Sequence, residues 1–329
     1  MTGWAVLALL VCSCARRPPP ANEAEAAGAK EKPALRKVVL QSDWFPQAEH
    51  GGYYQALVHG YYAEAGLAVE IWPGGPGAGI KLKVAKGEAD FGMNRSDDIS
   101  VSASRGLPLM MVAAGLQHDP LALMVHASSP VRTFQDLQGR VVVGNVGLAY
   151  FSYLENKYNL RFEKRQNTYG IGEFLANPEI IQQCVVTSEP FFAQQHGRAV
   201  RTLPLADAGY DSYHVIFCRR ELIRSSPDTV RAFVAASIRG WREYLDGDAA
   251  AVHAEILKRN PQMTPELLAF SRGELISRRL VRGDPARGER IGDLSRVRIE
   301  RELQMLHELK ILDRPVAFDE VATTEFLPK

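Results

Sequence analysis

The chain has 329 residues, 46% of them hydrophobic and 23% charged. At roughly 100–200 residues per domain this corresponds to about two domains or lobes, and the ordinary apolar fraction excludes wholesale disorder, collagen and coiled coil. Lys and Arg total 39 against 38 Asp and Glu, so no global field attracts a polyanion and nucleic acid is not an expected partner.

Residues 4–12 form an apolar run of nine. A spanning helix needs about 20, so this run has the length of a signal-peptide core instead. It leads into Cys12-Ser13-Cys14, which resembles the bacterial lipobox, with Cys14 as the acylated residue because a small Ser precedes it. No Lys or Arg precedes the run, which departs from that pattern. Residues 15–36 are rich in Pro, Ala and charge and cannot bury enough surface to offset chain entropy, so they read as a tether. The expected layout is a signal and lipidation site over 1–14, then a tether over 15–36.

The folded part begins with a buried strand at 37–41. A helix follows over 50–66, with Gly66 as its stop, and then a strand at 67–72. A helix at 80–86, a strand at 89–93, a helix at 96–105 and a strand at 109–114 continue the alternation. The pattern restarts at 133 with a helical turn, a strand at 140–144, a helix from 147 to 158 and strands at 183–187 and 215–218. Beyond 226 the chain is mostly helical: 227–245, 249–259, 264–279 and 295–310. Alternating strands and helices predict an α/β fold of two lobes, each a mixed sheet flanked by helices, with a helical C-terminal region. One lobe is expected over 37–125 and 214–329, the other over 126–213. Ligands in such sheets bind beyond the carboxyl ends of the strands, here after 41, 93, 144 and 187.

The segment at 43–54 places Asp43, Trp44, His50 and a Gly pair at a strand end. A carboxylate accepts paired N–H donors and an indole face stacks on a flat heterocycle; a helix start with Trp44 as a core plug is the alternative. Asn94 follows a strand and either caps the next helix or contacts ligand. Gly144, Asn145 and Gly147 form a turn able to present N–H groups to an anion, without the third Gly of a dinucleotide fingerprint or the Lys of a P-loop. Glu189 and Phe191 lie just past another strand. No His-Glu-x-x-His, Gly-x-Ser-x-Gly or zinc-type Cys pair occurs, so neither metal nor catalytic residues are expected. Cys184 and Cys218 read as buried thiols, with a bridge between them left open. The Arg-rich stretch between 272 and 301 carries interspersed acids and reads as a solvated helical face.

Several motifs together resemble the solute-binding proteins of ABC importers with the periplasmic-binding fold of the second type. They are Asp-Trp-Phe-Pro-x-x-x-His-x-Gly-x-Tyr at 43–54, Gly-Tyr-Tyr-x-x-x-Gly-Leu at 60–67, Gly-x-Ala-Asp-Phe-Gly at 87–92, Phe-x-Asp-Leu-x-Gly at 134–139, Glu-Pro-Phe at 189–191 and Ala-Gly-Tyr-Asp with Tyr213. Within that group the chain is similar to proteins that bind thiamine pyrimidine precursors, kin to the fungal hydroxymethylpyrimidine phosphate synthase. The resemblance implies that Asp43, Trp44, His50 and Glu189 face the ligand and that the 144–147 turn approaches a phosphate or polar tail. The synthase's lysine and histidine fall at Asn94 and Asp98, and its cysteine cluster near 209–213, so the groups for that chemistry are absent here.

The expected function is a lipid-anchored, monomeric binding protein at the periplasmic face of a membrane, without a cofactor, that closes on a small heterocycle and docks on an ABC permease. Trp44 with Phe191 or Tyr150 would sandwich the ring, with Tyr213 also at the site. A small-anion binder (sulfonate, nitrate or bicarbonate) and a pyrimidine-synthesis enzyme are the alternatives.

Overall fold

The computed structural model describes residues 1–4 and 34–328. Cys14, the apolar run and most of the expected tether lie outside the described residues. Leu35–Lys329 forms one compact unit, and the account below concerns it alone.

Ten strands build two sheets. They are β1 Arg36–Gln41, β2 Leu67–Trp72, β3 Phe91–Arg95, β4 Leu109–Leu116, β5 Leu121–His126, β6 Val141–Gly144, β7 Glu163–Gln166, β8 Ile181–Val185, β9 Val200–Pro204 and β10 His214–Arg219. The first sheet has the order β2-β1-β3-β10-β4 and the second β7-β6-β8-β5-β9. Within each, four strands point the same way, and one strand from across the crossover inserts antiparallel: β10 between β3 and β4, β5 between β8 and β9. Both sheets are therefore mixed and flanked by helices, as expected. The chain passes from one sheet to the other at 117–120 and returns at 205–213. The second sheet thus begins at Leu121, earlier than the boundary at 126 read from sequence. All six residues of β5 are buried, which fits its place inside a sheet.

The helix expected over 50–66 is two helices, Gly51–Val58 and Tyr61–Glu64. Gly60 sits between them with φ +75°, a left-handed conformation that ends the first helix. The Gly51-Gly52 pair serves packing. A Cβ on Gly52 would meet the Trp241 ring at 2.2 Å, and one on Gly240 would meet the Gly52 carbonyl at 2.1 Å. Gly51–Val58 and the long helix Pro227–Asp246 can approach this closely only because neither carries a side chain at the crossing. That contact fixes His50, one residue ahead of the first helix.

The Arg-rich stretch departs from expectation. Helix Pro265–Ser277 ends before most of it, and residues 278–295 are turns and loop apart from one 3-10 turn at Pro285–Arg287. Arg272 donates to the carbonyls of Tyr244, Leu245 and Gly247, so it caps the C-terminus of Pro227–Asp246. Cys184 and Cys218 are buried free thiols, so the bridge is not made. No helix among the described residues is long and apolar enough to cross a membrane.

Candidate functional site

β1 ends at Gln41, and the chain turns through Ser42-Asp43-Trp44-Phe45 before entering the first helix. The turn is held from behind: Ser42 Oγ donates to the Trp72 carbonyl at 2.9 Å, and the Gly74 N–H donates to the Trp44 carbonyl at 2.9 Å. A Cβ on Gly74 would fall 2.3 Å from the Ser42 carbonyl, so the Gly-rich stretch at 74–79 begins as a close backbone brace for this turn.

Asp43 lies between two imidazoles. His50 Nε2 donates to Oδ1 at 2.8 Å and His214 Nε2 to Oδ2 at 2.9 Å. An ionised carboxylate only accepts, so both rings donate through Nε2. Their Nδ1 atoms are buried without a hydrogen-bond partner among the described residues. Burial pushes the Asp43 carboxyl upward, but the charges and hydrogen bonds of His214 and His50 outweigh it and hold the pKa well below the usual range. For His214 burial acts downward and the Asp43 carboxylate overrides it, raising the pKa above 6.5. Asp43 remains a quarter exposed, so it keeps lone pairs for an incoming donor.

This segment is joined to the second sheet through Glu49 and Trp44, and to the C-terminal helices through the Pro46 carbonyl, which accepts from Asn260 Nδ2 at 2.9 Å. Thr187, just past β8, donates to Glu49, and its carbonyl accepts from Ser271 Oγ at 2.6 Å. The ring of Trp44 lies 5.5 Å from that of Tyr169, tilted by 42°. Tyr169 is 58% exposed and has φ +61°, an unusual conformation for a non-glycine residue. Buried Glu49 has a raised pKa, chiefly from desolvation, which the Thr187 hydrogen bond opposes. Glu189 is pushed up to about 7 by burial, with Glu49 adding repulsion and the Val185 N–H, donated at 2.7 Å, pulling the other way. Asp43, Glu49 and Glu189 thus form an electrostatically connected group, with Asp43 shifted down and the two glutamates shifted up.

Several residues read from sequence lie elsewhere. Tyr150 is fully buried against Phe151, with its hydroxyl donating to Gln183 Oε1 at 2.9 Å, so it presents no free face to a ring. Phe191 packs on Phe192 and Phe270. The rings beside Trp44 are those of Phe45, edge-on at 5.7 Å, and of Tyr169, which lies outside any motif read above. Tyr213 is buried under Arg298, whose guanidinium stands 3.9 Å from the ring centroid. Its neighbour His214 occupies the site because successive residues of an extended chain face opposite ways. Asn94 Nδ2 donates to Asp98 Oδ2 at 2.8 Å, and Lys81 Nζ pairs with Asp98 Oδ1 at 2.5 Å, so the strand end after β3 is braced by an Asn–Asp–Lys set.

The 144–147 turn already has acceptors for its N–H groups. Asn145 N donates to Gln183 Oε1 at 2.9 Å, Val146 N to Gln166 Oε1 at 3.4 Å and Gly147 N to Asn145 Oδ1 at 3.2 Å. An anion there must displace side-chain oxygens. Gly144 is required because a Cβ would sit 2.6 Å from the Tyr150 hydroxyl. Among the described residues no His, Cys, Asp and Glu cluster is arranged to hold a metal.

The family model described as NMT1/THI5 like matches residues 47–251. The riboflavin-binding protein RibY of Chloroflexus aurantiacus is 23% identical over 98% of this chain and 95% of its own. A formylaminopyrimidine-binding protein of Halalkalibacterium halodurans is 32% identical over 36% of each chain. A 4-amino-5-hydroxymethyl-2-methylpyrimidine phosphate synthase of Saccharomyces cerevisiae is 22% identical over 64% of this chain and 71% of its own. Among solved structures, the putative periplasmic sulfonate-binding protein SsuA of Methylobacillus flagellatus superposes with a TM-score of 0.63 over 89% of this chain and 93% of its own, at 13% identity. That last likeness concerns the fold alone. The chain belongs to the NMT1/THI5-like family and has the two-lobed fold of ABC-importer solute-binding proteins.

Proposed function

We propose that this chain is the solute-binding component of an ABC importer and that it takes a thiamine-related pyrimidine, or a larger flat heterocycle containing a pyrimidine ring, where the turn after β1 meets the second sheet. The observation that carries this reading is the half-buried Trp44 ring beside the exposed Tyr169 ring, with the Asp43 carboxylate next to it in sequence and anchored by two imidazoles. Aromatic faces bind the plane of such a ligand, and Asp43 accepts its amino N–H groups. Glu189, with a pKa near 7, is available both as acceptor and as protonated donor. The RibY match over nearly the whole chain makes a fused-ring ligand a serious candidate beside the simple pyrimidine.

A small-anion ligand fits poorly. Asp43 and Glu189 both favour donors, and the amides of the 144–147 turn are already engaged. Enzymatic pyrimidine synthesis also fits poorly, because the position matching the synthase's lysine is Asn94, hydrogen-bonded to Asp98. We further infer lipid attachment at Cys14, a permease partner, a monomeric state and a location at the periplasmic face of a membrane.

The test is a thermal-shift and tryptophan-fluorescence panel of aminopyrimidines, riboflavin and sulfonates. A ligand that binds only the folded state raises the melting temperature as RT ln(1 + [L]/Kd). A pyrimidine or flavin should shift the melt, and Trp44→Ala should abolish the response. A response to sulfonates alone would overturn the ligand assignment. Labelling with a fatty acid, lost in Cys14→Ser, tests the anchor.

A further inference from the structure

Tyr213 and His214 face opposite ways, and behind Tyr213 lies a cavity of about 520 Å³ that includes neither Asp43 nor Trp44. It is walled by the loop 287–295, the start of helix Arg296–Glu308 and the C-terminal residues Leu327 and Pro328. Four arginines line it, Arg287, Arg290, Arg298 and Arg301, against the two acids Glu289 and Asp293. Arg290 is paired to Asp293 at 2.7 Å and Arg287 to Glu289 at 3.5 Å. Arg298 is turned toward Asp211 at 3.1 Å, while its Nη1 is buried without a hydrogen-bond partner and stands 3.9 Å from Glu289. Arg301 makes no ion pair among the described residues. The positive charge therefore exceeds what the cavity's own acids neutralise, and the N-terminal end of the 13-residue helix adds to it. Leu294, Val297 and Leu327 supply an apolar wall, and Val297 is 55% exposed.

We propose that this cavity is a second ligand site, for a small organic anion that carries a short apolar body, such as an aliphatic carboxylate. The anionic group pairs with the exposed guanidinium of Arg301, in the positive field to which Arg298 adds. The apolar part covers Val297 and Leu294. An inorganic anion leaves that wall wet, and an uncharged apolar ligand leaves the guanidinium excess unanswered. The proposal is independent of what the strand-end site binds.

Calorimetric titration of the full chain with hexanoate and with acetate tests it. The two probes share one charge and differ in apolar length, and each methylene buried should strengthen binding about fourfold. Hexanoate should bind at one equivalent and more than about tenfold tighter than acetate. Arg301→Ala should weaken it by about tenfold, and Val297→Glu, which places a like charge in the cavity, should abolish it. Both positions are exposed, so neither variant endangers the fold. Trp44→Ala should leave hexanoate binding unchanged. Failure of hexanoate to bind saturably, equal affinities for the two probes, indifference to both cavity variants, or loss of binding in Trp44→Ala would each overturn the proposal.

Discussion

Two ionic clusters in this molecule are inversions of each other. At the strand-end site one carboxylate, Asp43, stands between two imidazoles, His50 and His214. At the crossovers one imidazole, His118, stands between two carboxylates, Asp211 at 2.7 Å and Glu289 at 3.0 Å. Beside His118 lies a tighter set: Arg95 grips both oxygens of Asp97 at 3.1 and 3.2 Å, reaches Asp119 at 2.6 Å, and the Tyr210 hydroxyl donates to Asp97. Asp97 and Asp119 are each 4% exposed, whereas Asp43 is 25% exposed. The crossover charges are spent on one another and tie 119 to 211 and to the first sheet. The Asp43 charge is oriented by its partners and still open to solvent, as the role proposed for it requires.

This contrast can be broken most severely at Arg95. Arg95→Ala leaves two buried carboxylates without a counter-charge and should cost about 3–5 kcal/mol in urea unfolding. A loss similar to that of an exposed ion pair would show that the crossovers are not locked. Next in size is the helix crossing that positions His50. Gly240→Ala should destabilise by about 1–3 kcal/mol, despite the better helix propensity of Ala, because the new methyl meets the Gly52 carbonyl. A gain in stability there would mean the two helices are free to separate.

The pH dependence sharpens the comparison further. Asp43 has a lowered pKa, so its contribution is present above 3.8 and fades as pH falls through the folded value. His214 has a raised pKa, so its contribution is complete below 6.5 and fades as pH rises through the folded value. The pair therefore stabilises between these limits, and Asp43→Asn should flatten the stability profile on both sides. Glu189 is raised from 4.5 to about 7, which favours the fold at low pH and costs stability as pH climbs through 7. Glu189→Gln should remove that decline, measured as the urea midpoint against pH. The smallest effect is expected at Tyr169. Removing one aromatic partner, Tyr169→Ala, should weaken ligand binding by about 0.5–1.5 kcal/mol, well short of the complete loss expected for Trp44→Ala.

The apolar strands were legible because a buried strand cannot be written without them: 37–41, 67–72 and 215–218 all appear within a residue or two of the expected bounds. β7, Glu-Lys-Arg-Gln, was not legible, since an edge strand with three exposed positions carries no apolar signal. β5 was missed because its apolar run follows β4 so closely that pattern alone does not separate them. At the site, Asp43, Trp44 and His50 stood out as one dense segment. His214 and Tyr169 did not, because one lies 171 positions from Asp43 and the other in a loop without periodicity. Tyr150 and Tyr213 were aromatic residues in suggestive places whose rings the core absorbed.

The sequence by itself determined the two-lobed α/β class and the segment after β1, because burial periodicity, glycine stops and clustered chemistry are local properties. Only the tertiary structure decided which imidazoles flank Asp43, which ring pairs with Trp44 and which carboxyl is held near neutrality. Those outcomes depend on strand order, on the facing of single residues and on desolvation by groups far away in the chain, none of which a linear pattern encodes.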